Sequence, residues 1–286
     1  MATVDELETA AEQWLKKQRG KLLLQRNLYL VPGFEDEGAG CWLGGSNTIA
    51  DFWGPRIFSN WQLAVASRDR SNEAKWKWAN VRVIDFDENV PRRSFLEFGE
   101  TVRAAIVTEH PHSSSSMGEY DIVGHSMGGL DSFVALVDAL SAGPQLVQPP
   151  QQIARAFNYV TMDTPYRGIP NWEARTKMSG PTKRDQCRAM APGCAELTLV
   201  DTAASQLAGR VVRVTCYGVD SASQVEVTSG DLYADENRFS HERSVTDYRF
   251  FQIPGASHSG PQGITQSLIT IANLFYTITT GTRLSR

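Results

Sequence analysis

The chain is poor in cysteine. Four residues in 286 (Cys41, Cys187, Cys194 and Cys216) are too few for a disulfide scaffold. None of their spacings is C-x-x-C, which removes a zinc knuckle. Cys187 and Cys194 are close enough in sequence to bridge, but two separate thiols is the simpler reading. No H-E-x-x-H or H-x-x-x-H pair occurs among the five histidines, so a zinc hydrolase is not expected. A basic excess is also missing. Lys and Arg number 28 against 32 Asp and Glu, for a net charge of −4 and a pI near 5.8. Such a chain has little with which to displace counterions from phosphates, and no nucleic-acid partner is expected. No apolar run reaches the roughly 18 residues of a bilayer span. Residues 1–20 lack the apolar stretch of an export signal. The expectation is a soluble, cytoplasmic protein, although a mature chain whose leader had been replaced by Met would read the same way. Internal repeats and a convincing inter-domain linker are missing too, so residues 1–286 read as one α/β domain.

What is present is ordinary for a globular protein, at 41% hydrophobic and 21% charged residues. Residues 1–20 run from acidic (Asp5, Glu6, Glu8) to basic (Lys16, Lys17, Arg19), an order that suits a helix macrodipole. Leu7, Ala10, Ala11, Trp14 and Leu15 fall on one face of that helix, which should pack on the domain. Further along, β-rich runs alternate with helix-period stretches. Strands are predicted at Asn27–Val31, Val81–Phe86, Tyr120–Gly124, Phe157–Met162, Val211–Tyr217 and Tyr248–Pro254. Helices are predicted at Ser94–Glu109, Met127–Ala142, Ala195–Leu207 and Gln262–Thr279. Apolar strands separated by helices imply a mostly parallel sheet covered on both faces. Two segments, about 35–77 and 167–207, are too long for simple connections and should build pocket or cap elements. The first carries Trp42, Phe52, Trp53 and Trp61.

The sharpest chemical signal is Gly124-His125-Ser126-Met127-Gly128-Gly129, placed directly after a strand and before a helix. A G-x-S-x-G turn in that setting raises a serine hydroxyl on strained backbone at a helix N-terminus. There, helix N–H groups can stabilise a developing oxyanion. The hydroxyl needs a base. His258, in the loop after the last strand and before the final helix, is the candidate. His110 and His112 precede the elbow strand, on the far edge; His241 sits among charges; the His125 side chain should point away from Ser126. The third member is a carboxylate between 126 and 258 that orients the imidazole. Asp220, after the strand that ends at Tyr217-Gly218, is preferred. Asp163 is the main rival, and Glu226 and Asp231 stay open. For the oxyanion, the backbone N–H groups of Met127 and of Phe34, in the loop Val31-Pro32-Gly33-Phe34, are the expected donors. Trp42, Trp53 and Tyr166 are expected on an apolar substrate wall. Asp85-Phe86-Asp87-Glu88-Asn89 begins like a calcium loop. Val90 stands where the sharp turn needs Gly, however, and no metal is predicted.

On these residues the chain resembles an α/β-hydrolase of the lipase/carboxylesterase type. The resemblance runs from about Asn27 to Leu274. It rests on Pro32-Gly33-Phe34, the GHSMGG elbow, VTMDTPYRG at Val160–Gly168, MAPGCAEL at Met190–Leu197 and PGASH at Pro254–His258. It implies hydrolysis of carboxylic esters through an acyl-serine intermediate, with no organic cofactor and a small-molecule ester or lipid as substrate. Two features depart from the family: an acid loop shortened to Gly218-Val219-Asp220, and no obvious large lid. A thioesterase, amidase or acyltransferase would use the same machinery, and a binding protein on a hydrolase scaffold would carry the same fold without turnover.

Overall fold

A computed structural model of the chain describes residues 2–18, 24, 26–34, 63–65, 81–84, 86, 92–111, 118–137, 153–176, 181–219, 232, 247–258 and 263–280. Among these, seven strands form one sheet: β1 Asn27–Val31, β2 Leu63–Val65, β3 Val81–Val83, β4 Tyr120–His125, β5 Ala156–Met162, β6 Val211–Val219 and β7 Tyr248–Ile253. Their order is β2-β3-β1-β4-β5-β6-β7, and every neighbouring pair is parallel. The chain therefore leaves β1 in one direction for β2 and β3, then crosses to β4 and continues the other way. That reversal opens a crevice at the carboxyl ends of β1 and β4, the place where open α/β sheets bind ligands.

Strand side chains alternate between two cores, as the pleat requires. Tyr29, Val31, Ile122, Tyr159, Val214 and Cys216 face one layer, with Phe95, Val102 and Ile106 of α2 (Phe95–Val107). The same layer takes Leu130, Phe133 and Val134 of α3 (Met127–Leu136). Leu28, Leu30, Val123, Val160, Met162, Tyr217 and Val219 face the other, with Leu15 of α1 (Val4–Gln18). Ile271, Leu274 and Phe275 complete that layer from the last helix, Leu268–Thr280. Burial on both faces is why these strands read as nearly continuous apolar runs. Thr3 and Glu6 close a capping box at the start of α1, with Thr3 N–H bonding Glu6 Oε2 at 2.8 Å and Glu6 N–H bonding Thr3 Oγ1 at 3.3 Å. The far end of α1 puts Trp14 edge-on to Tyr276 at 5.8 Å.

Several helices depart from the sequence prediction. The helix after the elbow stops at Leu136 rather than 142, with Val137 extended at φ −101° and ψ 108°. At this end the buried Arg103 guanidinium donates to Val134 O at 2.7 Å and Val137 O at 3.3 Å, taking carbonyls that have no helical partner. The last helix begins at Leu268 rather than 262, because residues 263–267 turn back onto the histidine loop, where Ile264 N–H bonds Ser257 O at 2.8 Å. Segment 167–207 holds α4 (Trp172–Thr176) and α5 (Pro181–Ala189), neither of which was expected, before α6 (Ala195–Ala203). The sequence PTKRDQCRA has no apolar periodicity, and its helix signals are Pro at the first helical position and Arg188 in the last turn. Following α6, Ala204–Gly209 is a 3-10 turn; α7 denotes Leu268–Thr280. Cys187 and Cys194 carry thiols rather than a shared disulfide. The Cys194 sulfur instead caps α6, accepting Leu197 N–H at 3.5 Å.

Candidate active site

β4 is buried along its whole length and ends at His125, and α3 starts at Met127. The single residue between them, Ser126, has φ 54° and ψ −127°, a conformation that L-residues hold only under constraint. The constraint is close packing against the loop after β1. A Cβ on Gly128 would lie 2.3 Å from Pro32 O, and one on Gly33 would lie 2.9 Å from Ser126 Cβ. Only glycines allow the two segments to approach this closely. On the other side, Ser126 N–H bonds Met162 O at 2.9 Å, tying the elbow to β5.

Across the crevice, the turn after β7 carries His258 to the elbow. Ser126 Oγ lies 3.0 Å from His258 Nε2, and His258 Nδ1 lies 2.5 Å from Asp163 Oδ2. Asp163 is fully buried, and His258 and Ser126 are only 7% and 5% exposed, so the chain of groups is largely shielded from solvent. Nδ1–H donating to the carboxylate leaves Nε2 as acceptor for the serine hydroxyl, the tautomer a general base requires.

The carboxylate at His258 is thus Asp163 rather than the Asp220 preferred from sequence. The reason is strand register. His125 pairs with Met162 across β4 and β5, so the residues that follow them, Ser126 and Asp163, leave neighbouring strands at the same level. Asp163 has φ 50°, so two of the three non-glycine residues of positive φ among the described residues are Ser126 and Asp163. Its own N–H bonds Tyr217 O at 2.7 Å, which pins the turn to β6. Asp220, Glu226 and Asp231 lie outside the described residues, as do Trp42, Trp53, His112 and His241. Tyr166 corrects a second expectation. It is fully buried and offers a substrate no surface, its hydroxyl lying 2.7 Å from that of Tyr159. Tyr159 in turn donates to Gly129 O at 2.7 Å, so the pair braces the turn at Asp163 against the first turn of α3. Phe34 is half-buried beside the elbow and Met127 heads α3. His110 sits at the opposite edge, its Nδ1 3.3 Å from Glu119 and its ring against Tyr120.

Two buried groups near the elbow went unassigned in the sequence reading. His125 does point away from Ser126, but its Nε2 lies 2.8 Å from the main-chain oxygen of His258. Burial, together with the neighbouring His258, lowers its pKa to about 3, so it is neutral. Asp131, one turn along α3, is fully buried, and neither carboxyl oxygen has a hydrogen-bond partner among the described residues. Burial holds its pKa well above the usual range, against the pull of Arg92. Among the described residues no group of three or more His, Cys, Asp or Glu is placed to hold a metal ion. No described helix is long and apolar enough to cross a membrane.

No family model and no curated protein matches the chain. Solved structures do. A Listeria innocua protein, the product of gene lin2722, superposes with a TM-score of 0.55 at 12% identity, over 92% of this chain and 96% of that one. Phospholipase PlaB from Legionella pneumophila superposes with a TM-score of 0.52 at 13% identity, over 88% of this chain. The match covers 60% of the phospholipase, so the chain spans about three-fifths of its length. At these identities the likeness is one of fold.

Proposed function

The chain has the α/β-hydrolase fold, and from that premise we propose that it is a serine hydrolase of carboxylic esters. The observation that carries the reading is the continuous path from Ser126 Oγ through His258, 3.0 Å away on one ring nitrogen, to Asp163, 2.5 Å from the other. In this reading His258 takes the Ser126 proton as Oγ attacks the acyl carbonyl, and then returns it to the leaving alcohol. Asp163 keeps Nδ1 protonated and stabilises the imidazolium that forms between the two steps. The N–H of Met127, at the head of α3 where helix amides lack an internal acceptor, is one oxyanion donor. The N–H of Phe34, carried beside Ser126 by the Gly33 approach, is the other. Water activated by His258 then releases the acid from the acyl-serine. The Trp-rich segment with Trp42 and Trp53 follows this loop in sequence and would supply apolar surface for the acyl or alcohol part.

The test is turnover of p-nitrophenyl esters from two to sixteen carbons, alongside inactivation by a serine-directed phosphonate. Wild-type protein should release p-nitrophenol and acquire the phosphonyl group on Ser126. Ser126→Ala should fold, take no label and lose on the order of 10⁵–10⁶ in kcat. Undiminished turnover by Ser126→Ala would overturn the reading. A steep fall beyond roughly eight carbons marks an esterase pocket, and sustained activity on the long esters marks a lipase.

A further inference from the structure

Residue 125 stands next to the proposed nucleophile, yet its ring turns toward a different part of the chain. We propose that His125 is a positioning residue: its Nε2–H donates to the main-chain carbonyl of His258 and so sets the approach of the His258 ring to Ser126. The inference rests on the reading of Ser126 and His258 as nucleophile and base, and adds a third group that acts through them. The hydrogen bond is 2.8 Å long and joins positions 133 residues apart. The two rings lie against each other, their centroids 4.9 Å apart and inclined by 37°, and His125 is only 3% exposed.

Placement gives the bond its purpose. His125 is the last residue of β4, held in register by Met162 on the neighbouring strand, so the donor sits on rigid sheet. The acceptor belongs to the turn that carries His258. Ser257 O takes the Ile264 N–H at 2.8 Å, and the next carbonyl, that of His258, takes His125. Two consecutive carbonyls of the histidine loop are thereby fixed, one to the segment that leads into α7 and one to the strand that carries the serine. A loop-borne base gains precision from such a tether, since a displacement near 1 Å is enough to cost about 10²-fold in rate.

The chemistry of the group suits the task. An imidazole kept neutral by burial carries a single N–H, and the carbonyl acceptor places it on Nε2. Neutrality matters a second time, because His258 becomes an imidazolium during the reaction. A second cation against its ring would oppose the transition state. Lysine or arginine at 125 would supply a donor with the wrong charge; leucine or phenylalanine would supply the shape without the donor.

The discriminating variants are His125→Gln, whose amide nitrogen falls near the position of Nε2, and His125→Asn, whose shorter side chain does not reach. They are compared with His125→Leu by steady-state kinetics on p-nitrophenyl butyrate and by the rate of phosphonate labelling at Ser126. The Leu and Asn variants should lose roughly 10- to 100-fold in kcat with KM within about twofold of wild type, and label correspondingly slowly. Gln should recover to within about threefold. Equal kcat in Asn and Gln, or wild-type kcat in Leu, would overturn the positioning role. Should His125→Leu fail to fold, the Asn and Gln pair decides alone. Labelling keeps the two ideas apart: a wild-type protein that takes no phosphonate sinks the hydrolase reading itself, whereas normal labelling with no Asn–Gln difference sinks only the role of His125.

Discussion

The two ends of the same sheet bury polar groups in opposite ways. At the amino end, carboxylates are surrounded by donors. Asp121 Oδ1 accepts from Asn158 Nδ2 at 2.7 Å, Asn158 N–H at 3.2 Å and Arg26 Nε at 3.3 Å. Nearby, Glu109 takes the Tyr29 hydroxyl at 2.8 Å, Asn27 Nδ2 at 3.1 Å and Arg82 Nη1 at 2.5 Å. No non-glycine residue of positive φ occurs there among the described residues. At the carboxyl end, Ser126 and Asp163 sit on strained backbone, and the Asp163 carboxylate has one hydrogen-bond partner, His258, with its second oxygen unpartnered among the described residues. One edge surrounds its carboxylates with donors that join strands and helices; the other sets Ser126 and Asp163 on strained backbone, aimed at His258. Burial of charge alone therefore does not mark a reactive site. In the proposed reading, what marks the site is burial joined to strained backbone.

Substitutions can test that contrast from both sides. The largest effect is expected at the strained edge, where Asp163→Asn should cost roughly 10⁴-fold in kcat by losing the required imidazole tautomer, with little change in thermal stability. Asp220→Asn should stay within about threefold of wild type in the same assay, and an equal loss there would reverse the assignment of the acid. At the satisfied edge the pattern should invert. Asp121→Ala strands Arg26 and the Asn158 amide, and should cost about 3 kcal/mol in denaturant titrations, with specific activity of the folded fraction unchanged. The smallest effect belongs to Asp131, which shares the elbow's side of the sheet but has no hydrogen-bond partner for its carboxyl among the described residues. Its carboxyl stays protonated in the folded protein at pH values where the unfolded chain ionises, so it lowers stability as pH rises above about 4. Asp131→Asn should then raise stability on the order of 1–3 kcal/mol at pH 7, with the gain vanishing near pH 3. A gain that persisted at pH 3 would mean that charge is not the cause.

How much of this could be read from the chain depends on how local each determinant is. The elbow is announced within six residues, because glycines, serine and the strand-to-helix change all act on neighbours. His258 could be paired with Ser126 from topology, since parallel strands deliver their following loops to one edge. The acid could not be chosen that way, because Asp163 and Asp220 both follow strands. The choice between them turns on the register of β4 with β5, a property of two segments some 35 residues apart. Tyr166 shows a related blindness. An aromatic in a turn near the site looks like a pocket residue until the hydroxyl of Tyr159 is found against it. β2 offers only three residues within a Trp-rich insertion, too few to display any period. The capping box at Thr3-Val4-Asp5-Glu6, by contrast, was available as a four-residue signature.

The placement of Asp163 on the strand beside the elbow has an engineering consequence. All three groups of the proposed proton path follow the ends of β4, β5 and β7, so none of them is drawn from the end of β6. A foreign loop grafted after β6 would therefore have to keep Leu232, which is fully buried in the core, while the strand ends that carry the three groups stay untouched.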